Sequence, residues 1–505
     1  MNTHQVRSSL LPLATVAIAA AAASSPASAA RVHPEVAAAA SRGDAVDVLL
    51  VLPDQAAPAA LPGADYKARR RALVDALRQR ADAQQRSLRA WLGARGISHR
   101  PYWIANLVHA RLSADDLALL AARNDIARIE PNPAIAARLP QPQAGVLTGA
   151  VDVAAITWGV NKINAPRVWA EGHTGAGVVI AGADTGYHWS HPALKPQYRG
   201  WDGSSADHNY HWHDAVRSAN FACPADSPQP CDDNGHGTHT AGTFAGDDHG
   251  SQQIGVAPGA KWIGCRNMNA GFGTPATYIE CMQWMLAPTD LRGKNPDPDR
   301  APDIVSNSWT CPESEGCTVG NELAGAVTQL TRAGILFVAA ASNAGPGCGS
   351  ITDPPAIHAA TFTIGATDSG DTLADFSARG PAPRSPLIGS RQVKPDVSAP
   401  GVDVVSAWPP STYVSLNGTS MATPHVAGAA ALLLSAVPAL KGHPNVVASL
   451  LRDTATTDVA NPVKQACGGT RRSDWPNNMV GHGRIDVYAA YQAALSAAAR
   501  LAGQP

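Results

Sequence analysis

Charge is scarce in this chain. Only 16% of its 505 residues are Asp, Glu, Lys or Arg, well under the usual quarter, and they sum to −1 at pH 7. A chain without a basic excess lacks the electrostatic footprint of a nucleic-acid binder. Cysteine is missing from the first 220 residues. No C-x-x-C pair occurs, which removes the usual zinc and thioredoxin-type spacings. No G-x-G-x-x-G, Walker or H-E-x-x-H pattern is present. Beyond the N-terminus no apolar run is long enough for a membrane span, since the run 427–437 stops at Pro438. There is no internal repeat. Glycine (45) and proline (40) make up about 17% of the chain, above an average of roughly 12% but below the disordered range. With 45% hydrophobic residues, disordered, coiled-coil and collagen-like chains are excluded. What remains is a turn-rich globular protein, long enough for two or three domains.

At the N-terminus, Arg7 precedes a mostly apolar run, 10–23, and then Ala27-Ser28-Ala29. The run is shorter than the about 20 residues needed to span a bilayer and fits a secretory signal over 1–29, an uncleaved anchor being the alternative. The cysteines agree with export. Cys223, Cys231, Cys265, Cys281, Cys311, Cys317, Cys348 and Cys467 are even in number and allow up to four bridges in an oxidising compartment. Cys223–Cys231 and Cys311–Cys317 are close enough to pair locally, while the full connectivity stays open.

The composition changes near residue 140. Residues 30–140 hold sixteen Lys and Arg against eleven Asp and Glu, whereas the residues after 140 sum to about −7. The basic part reads as strand (46–52), long amphipathic helix (66–92), alternating strand (104–112), a helix over 117–122 behind the N-cap Ser113, and a short last strand (126–131). The polar stretch 139–143 reads as a linker and a cleavage site. Beyond it, strand patterns at 178–183, 261–266, 304–307, 335–341, 361–366 and 404–407 alternate with helical patterns at 275–286, 320–332 and 422–435. That alternation predicts an α/β fold, a parallel sheet with helices on both faces. Such folds collect catalytic groups at the carboxyl ends of their strands.

Three segments there carry chemistry. An apolar strand ends in Asp184-Thr185-Gly186, His236 lies between glycines in Asn234-Gly235-His236-Gly237-Thr238-His239, and Ser420 lies in Gly418-Thr419-Ser420-Met421-Ala422-Thr423-Pro424-His425. Singly, each has a plain reading: a turn-forming Asp, a metal-ligand pair His236/His239, a capping Ser. Together they supply a nucleophile, a base and an orienting acid in the order Asp, His, Ser. Ser420 would sit at the positive end of a helix dipole, with Pro424 in a first-turn position.

With these motifs the chain resembles the subtilisin-like serine proteases from about residue 158 to 487, and Trp169 with the stretches around 209–214, 261–267 and 281–290 resembles a bacillopeptidase-F-like group within them. The resemblance implies that Asp184, His236 and Ser420 form the triad and that Asn343, after the apolar strand, is the oxyanion donor. Ser342 stands where the family more often has glycine. Ser308, Trp309 and Thr310 occupy the place of a substrate-lining Ser-Leu-Gly run, with Trp309 equally readable as core. The N-terminal part resembles the subtilisin propeptide, a β-α-β-β-α-β, ferredoxin-like α+β domain that assists folding, caps the active site and is removed.

The resulting expectation is a signal (1–29), a propeptide (30–140), a linker and processing region (141–157) and a catalytic domain (158–505). It is that of a secreted, monomeric serine endopeptidase, made as a zymogen and acting on proteins or peptides, without nucleic-acid or membrane partners. The propeptide is its intramolecular inhibitor. No cofactor is required for the chemistry, and structural calcium at Asp232-Asp233, Asp247-Asp248 or within 297–303 is a further expectation. Substrate is expected to pair with the strand edge near 304–308. The alternatives are a catalytically dead binding protein on the same fold and an acyl-transferring ligase.

Overall fold

A computed structural model describes residues 29–502, apart from 56–60, 64, 138, 143–155, 250–252, 313–316, 318–319, 384–392 and 462–463. The expected signal and most of the expected processing region lie outside the described residues.

The N-terminal unit comprises β1 (Arg31–Val32), α1 (Pro34–Ser41), β2 (Val46–Val51), α2 (Tyr66–Ala94), β3 (His99–Tyr102), β4 (Leu107–Leu112), α3 (Ala114–Ala121) and β5 (Arg128–Pro131). Its sheet order is β1-β5-β2-β4-β3. From β2 to β5 the succession is β-α-β-β-α-β, with β1 and α1 added in front. Capping sets the helix starts: Asp65 accepts from the Ala68 N–H at 2.8 Å, and Ser113 from that of Asp116 at 3.1 Å. The alternation read over 104–112 is broken at Asn106, whose φ of +40° turns the chain between β3 and β4. β3, His-Arg-Pro-Tyr, carries no apolar pattern to announce it.

A short strand, β6 (Ile135–Ala136), leads out of this unit. The second unit runs through α4 (Trp158–Lys162), α5 (Ala165–Ala170), β7 (Val179–Asp184), β8 (Trp212–Asp214), α6 (His236–Ala245), β9 (Lys261–Arg266), β10 (Met268–Asn269), β11 (Phe272–Gly273), α7 (Pro275–Leu286), β12 (Ile304–Asn307), α8 (Gly320–Arg332) and β13 (Leu336–Ala340). It continues with β14 (Phe362–Thr367), β15 (Val397–Pro400), β16 (Val404–Trp408), β17 (Thr412–Leu416), α9 (Thr419–Ala436), α10 (Pro444–Asp453) and α11 (Val487–Ala502). Seven strands form one parallel sheet in the order β15-β14-β13-β12-β7-β9-β8. The segment expected as a sheet strand at 404–407 is instead β16 of an antiparallel hairpin with β17, and β15 is the sheet edge. Val-Ser-Ala-Pro has too short an apolar pattern to be read as a strand, although all four residues are buried.

Side chains alternate across the parallel sheet. Ile180 of β7 packs with α6, α9 and α11 on one face, whereas Ala181 and Ala183 pack with α7 and α8 on the other. The second of these clusters crosses between units. It takes in Leu49, Val51, Leu73, Leu77 and Leu107 from the N-terminal sheet and α2, so one face of that sheet is buried on α7 and α8. Its opposite face, with Val48, Leu50, Leu88 and Leu92, forms a core of its own.

Four disulfides join Cys223–Cys231, Cys265–Cys281, Cys311–Cys317 and Cys348–Cys467. Among the described residues no helix is long and apolar enough to cross a membrane.

Arg266, at the end of β9, is fully buried. It holds Asp214 through Nε and Nη2, both at 3.0 Å, and Asp233 through Nη1 at 3.2 Å. Removing one partner of a buried ion group leaves uncompensated charge, at a cost of about 3–5 kcal/mol. Arg266→Ala is therefore expected to lower unfolding free energy by about that amount in urea denaturation, and a change below about 1 kcal/mol would refute it.

Buried histidines set a second expectation. Burial pulls the imidazoles of His239, His425 and His358 down from 6.5 to about 3, 4 and 4. The fold keeps them neutral where the unfolded chain takes up protons. Their contribution to stability is therefore complete above about pH 6.5 and declines as the pH falls towards about 4. Thermal melts should show Tm dropping over that interval, and a flat Tm would contradict this reading.

Candidate active site

The carboxyl ends of β7, β12 and β13 meet at one sheet edge, because Ala183, Asn307 and Ala339 stand in register across the three strands. Asp184 is the last residue of β7 and is 1% exposed. Its Oδ1 accepts from the Thr185 N–H at 2.8 Å and lies 2.7 Å from His236 Nδ1. His236 opens α6 behind Gly235, whose φ of +100° is the left-handed conformation that glycine takes without strain. The bond from Nδ1 to the carboxylate fixes the tautomer with Nε2 as the free acceptor. His236 Nε2 is buried and has no hydrogen-bond partner.

Ser420 lies in the first turn of α9, where helices leave N–H groups unpaired. It exchanges two hydrogen bonds with Ser308, the residue after β12. The Ser420 hydroxyl donates to the Ser308 carbonyl at 2.9 Å, and the Ser308 hydroxyl donates to the Ser420 carbonyl at 2.8 Å. α9 begins at Thr419, so Pro424 lies inside the helix rather than in its first turn as expected. Lacking an N–H, it cannot engage the carbonyl four residues back, that of Ser420. Ser308 takes that carbonyl instead.

Asn343 follows β13. Its Oδ1 accepts from the Thr419 N–H and hydroxyl, both at 2.9 Å, which fixes the amide against the start of α9. Ser342 before it has φ +87°, a conformation easy for glycine and strained for serine. Ser308, Trp309, Thr310, Asn343 and Ser420 line one cavity of about 190 Å³. Trp309 also belongs to the core: it is 3% exposed, its indole N–H donates to the Ala183 carbonyl at 3.0 Å, and its ring stacks on Tyr278 at 3.9 Å.

The structure thus brings Asp184 and His236 into contact and sets Ser420, Asn343 and Ser308 at the same edge. The Ser420 hydroxyl is turned to Ser308 rather than to His236. A bound carboxylate–imidazole pair, a serine hydroxyl at a helix N-terminus and a fixed side-chain amide are the parts of a serine hydrolase.

Asp232 was readable only as part of an acidic cluster. In the fold it accepts from Thr185 Oγ1 (2.9 Å), the Asn234 (3.1 Å), Gly235 (2.8 Å) and Thr238 (3.0 Å) N–H groups and Thr238 Oγ1 (2.6 Å). It therefore ties the Asp184 turn to the His236 turn. The other acids expected to hold calcium are engaged similarly: Asp233 with Arg266 and Asn220, Asp297 with Arg300, Asp303 with the Val179 N–H. Among the described residues no group of three or more His, Cys, Asp and Glu side chains is arranged to hold a metal ion.

The strand edge expected to receive substrate is not free, since β12 is hydrogen-bonded to β7 on one side and β13 on the other. The segment leaving the N-terminal unit uses another edge. β6 pairs antiparallel with β11, the Ala137 N–H donates to Gly271 O at 2.9 Å, and Ala137 and Leu139 line the cavity beside Ser420. Polar contacts fix the unit above. Asn132 Oδ1 accepts from the Ala276 N–H at the start of α7, and Gln283 Oε1 from those of Trp103 and Ile104. Glu280 of α7 meets Arg100 and the Tyr102 hydroxyl, each at 2.8 Å, and His213 at 2.9 Å. Burial alone would raise its carboxyl. The hydrogen bond and charge of His213, with Arg217 and Arg100, hold it well below the usual range.

Comparison with known proteins agrees with this class. Residues 175–483 match the subtilase family, and the chain belongs to that family, whose members are serine-type endopeptidases. It is 33% identical to bacillopeptidase F of Bacillus subtilis (strain 168) over 489 residues, 90% of this chain and 31% of that protein. It is 33% identical to an alkaline protease of Alkalihalobacillus alcalophilus over 70% of this chain and 77% of that protein, and 34% identical to subtilisin Savinase of Lederbergia lenta over 60% and 92%. The chain thus spans about a third of the bacillopeptidase F length and most of the shorter relatives.

Small displacements of a catalytic group cost about 100-fold in rate. Asp232→Ala, which unties the two turns, should lower kcat on a peptide substrate by at least about tenfold with the melting transition still cooperative. An unchanged kcat would show that the turns are held without it.

Proposed function

We propose that this protein is a secreted serine endopeptidase, made with a signal (1–29) and a propeptide (30–140) and matured by cutting within 141–157. The carrying observation is the contact of Asp184 with His236 at the sheet edge where Ser420 and Asn343 also lie. In this reading the Ser420 hydroxyl turns from Ser308 to His236, which takes its proton as the oxygen attacks the scissile carbonyl. The Asn343 amide and the Ser420 N–H receive the oxyanion. His236 then gives the proton to the leaving amine, and water cleaves the acyl-enzyme by the same steps reversed. Asp184 keeps Nδ1 as donor and stabilises the imidazolium. Ser308, Trp309 and Thr310 form the wall against which the substrate residue at the cut lies. The chemistry calls on no cofactor.

The N-terminal unit acts as the propeptide. Its burial on α7 and α8 and the course of β6 and Leu139 into the groove support a unit that caps the site while attached. Partners are protein and peptide substrates and this unit itself, and the mature enzyme works as a monomer.

Wild type and Ser420→Ala, purified from a secreting host, test this with a fluorophosphonate probe and intact masses. Wild type should label and lose the N-terminal region, whereas Ser420→Ala should stay unlabelled and uncut. A folded wild type that takes no label would leave a binding scaffold, and a purified Ser420→Ala that processes itself would remove Ser420 from its role.

A further inference from the structure

The cavity beside Ser420 has one ionisable lining residue among those described, Asp353, and no motif pointed to it. The remainder of the wall is neutral: its apolar residues, Trp309, Pro312, Ala340 and Ala344 among them, are matched in number by Ser, Thr and Asn. Asp353 is 8% exposed. Its Oδ1 accepts from the Thr352 hydroxyl at 2.7 Å, and no cation pairs with it among the described residues. Burial pushes its carboxyl up, with the Thr352 hydroxyl pulling against this. The wall and the acid are fixed to each other: the Cys311 N–H donates to the Pro354 carbonyl at 2.7 Å, and Cys311 is bridged to Cys317.

A nearly buried carboxylate without a cation is unfavourable, and the fold gains nothing visible from it. A cation supplied from outside removes that cost. At about 190 Å³ the cavity is below the range of pockets for whole small ligands, about 300–1,000 Å³, and suits a single side chain. Arg and Lys combine an apolar stem with a charged head, which matches a neutral, partly apolar wall with one acid in it.

We propose that Asp353 sets the specificity of the released enzyme, directing cleavage of substrates from solution to the carbonyl side of Arg and Lys. This rests on the peptidase reading above and names its substrate class. The maturing cut within 141–157, a segment without Arg or Lys, is made on an attached chain, whose high effective concentration replaces that preference. With the N-terminal unit docked, Ala137 and Leu139 complete the cavity wall, and release of that unit opens the cavity to substrate.

The test uses the full-length chain after maturation, with fluorogenic peptides that differ only in the residue before the cut: Arg, Lys, Leu or Phe. Wild type should favour Arg and Lys by roughly 30-fold or more in kcat/KM. Asp353→Asn should lose that preference, its kcat/KM on Arg and Lys falling to the level of Leu and Phe, and Asp353→Glu, which keeps the charge, should retain it. Benzamidine should protect wild type from the fluorophosphonate probe and fail to protect Asp353→Asn. Equal cleavage after apolar and basic residues by a wild type that takes the probe would overturn this inference alone, as would a basic preference surviving in Asp353→Asn. A wild type that takes no probe would overturn the peptidase reading and this one with it. If Asp353→Asn fails to fold, the wild-type ratio and benzamidine protection still decide.

Discussion

Asp184, Ser308 and Asn343 are neighbours because three strands far apart in the chain run parallel and in register. Ala183, Asn307 and Ala339 stand in one row across β7, β12 and β13, and each strand releases its next residues at the same edge. The side-chain period of a strand is two, so a slip of one residue would carry Ile180 into the layer of Ala181 and turn Asp184 from the His236 side. Helices on both faces oppose that slip. α9, buried from Thr419 to Leu434, fills one layer, and α7 with α8 fills the other. The site is thus a by-product of a register that hydrophobic burial holds.

The same burial links the two units. Leu49, Val51 and Leu73 of the N-terminal unit share a cluster with Met282 of α7 and Leu323 of α8. Apart from the second unit, that sheet would show an apolar face to water, an arrangement folded chains avoid. Charge then adds direction. Arg100 meets Glu280 and Arg71 meets Asp299, in keeping with a basic N-terminal region set on a remainder of opposite sign.

Much of this was legible in the sequence, for identifiable reasons. Lys261–Arg266, Ile304–Asn307, Pro275–Leu286 and Gly320–Arg332 are long or apolar enough to show their period, and the structure keeps these bounds. Asp184, His236 and Ser420 stood out because each sits among glycines or small residues beside a strand or helix. Other features left no local trace. β15 is buried by what covers it rather than by its own residue types, and β3 is held by pairing with β4. Asp232 resembled any surface acid until the fold placed Thr185 and Thr238 around it. Which edge would take an extended segment depended on strand order, a property of the whole sheet: β12 proved central, and β11 lay open to β6.

Pro424 carries a consequence for how the start of α9 is completed. An isolated α9 could form its later turns alone, but the carbonyl of Ser420 would have no amide to receive, and its hydroxyl no strand to rest on. Both are supplied by Ser308, which arrives only when β12 has joined the sheet. The resting orientation of the proposed nucleophile is therefore conditional on the assembly of a strand more than a hundred residues upstream. Until that strand is in place, the first turn of α9 lacks both a donor for its Ser420 carbonyl and an acceptor for its Ser420 hydroxyl, so the start of this helix is completed by the sheet and not by the helix itself.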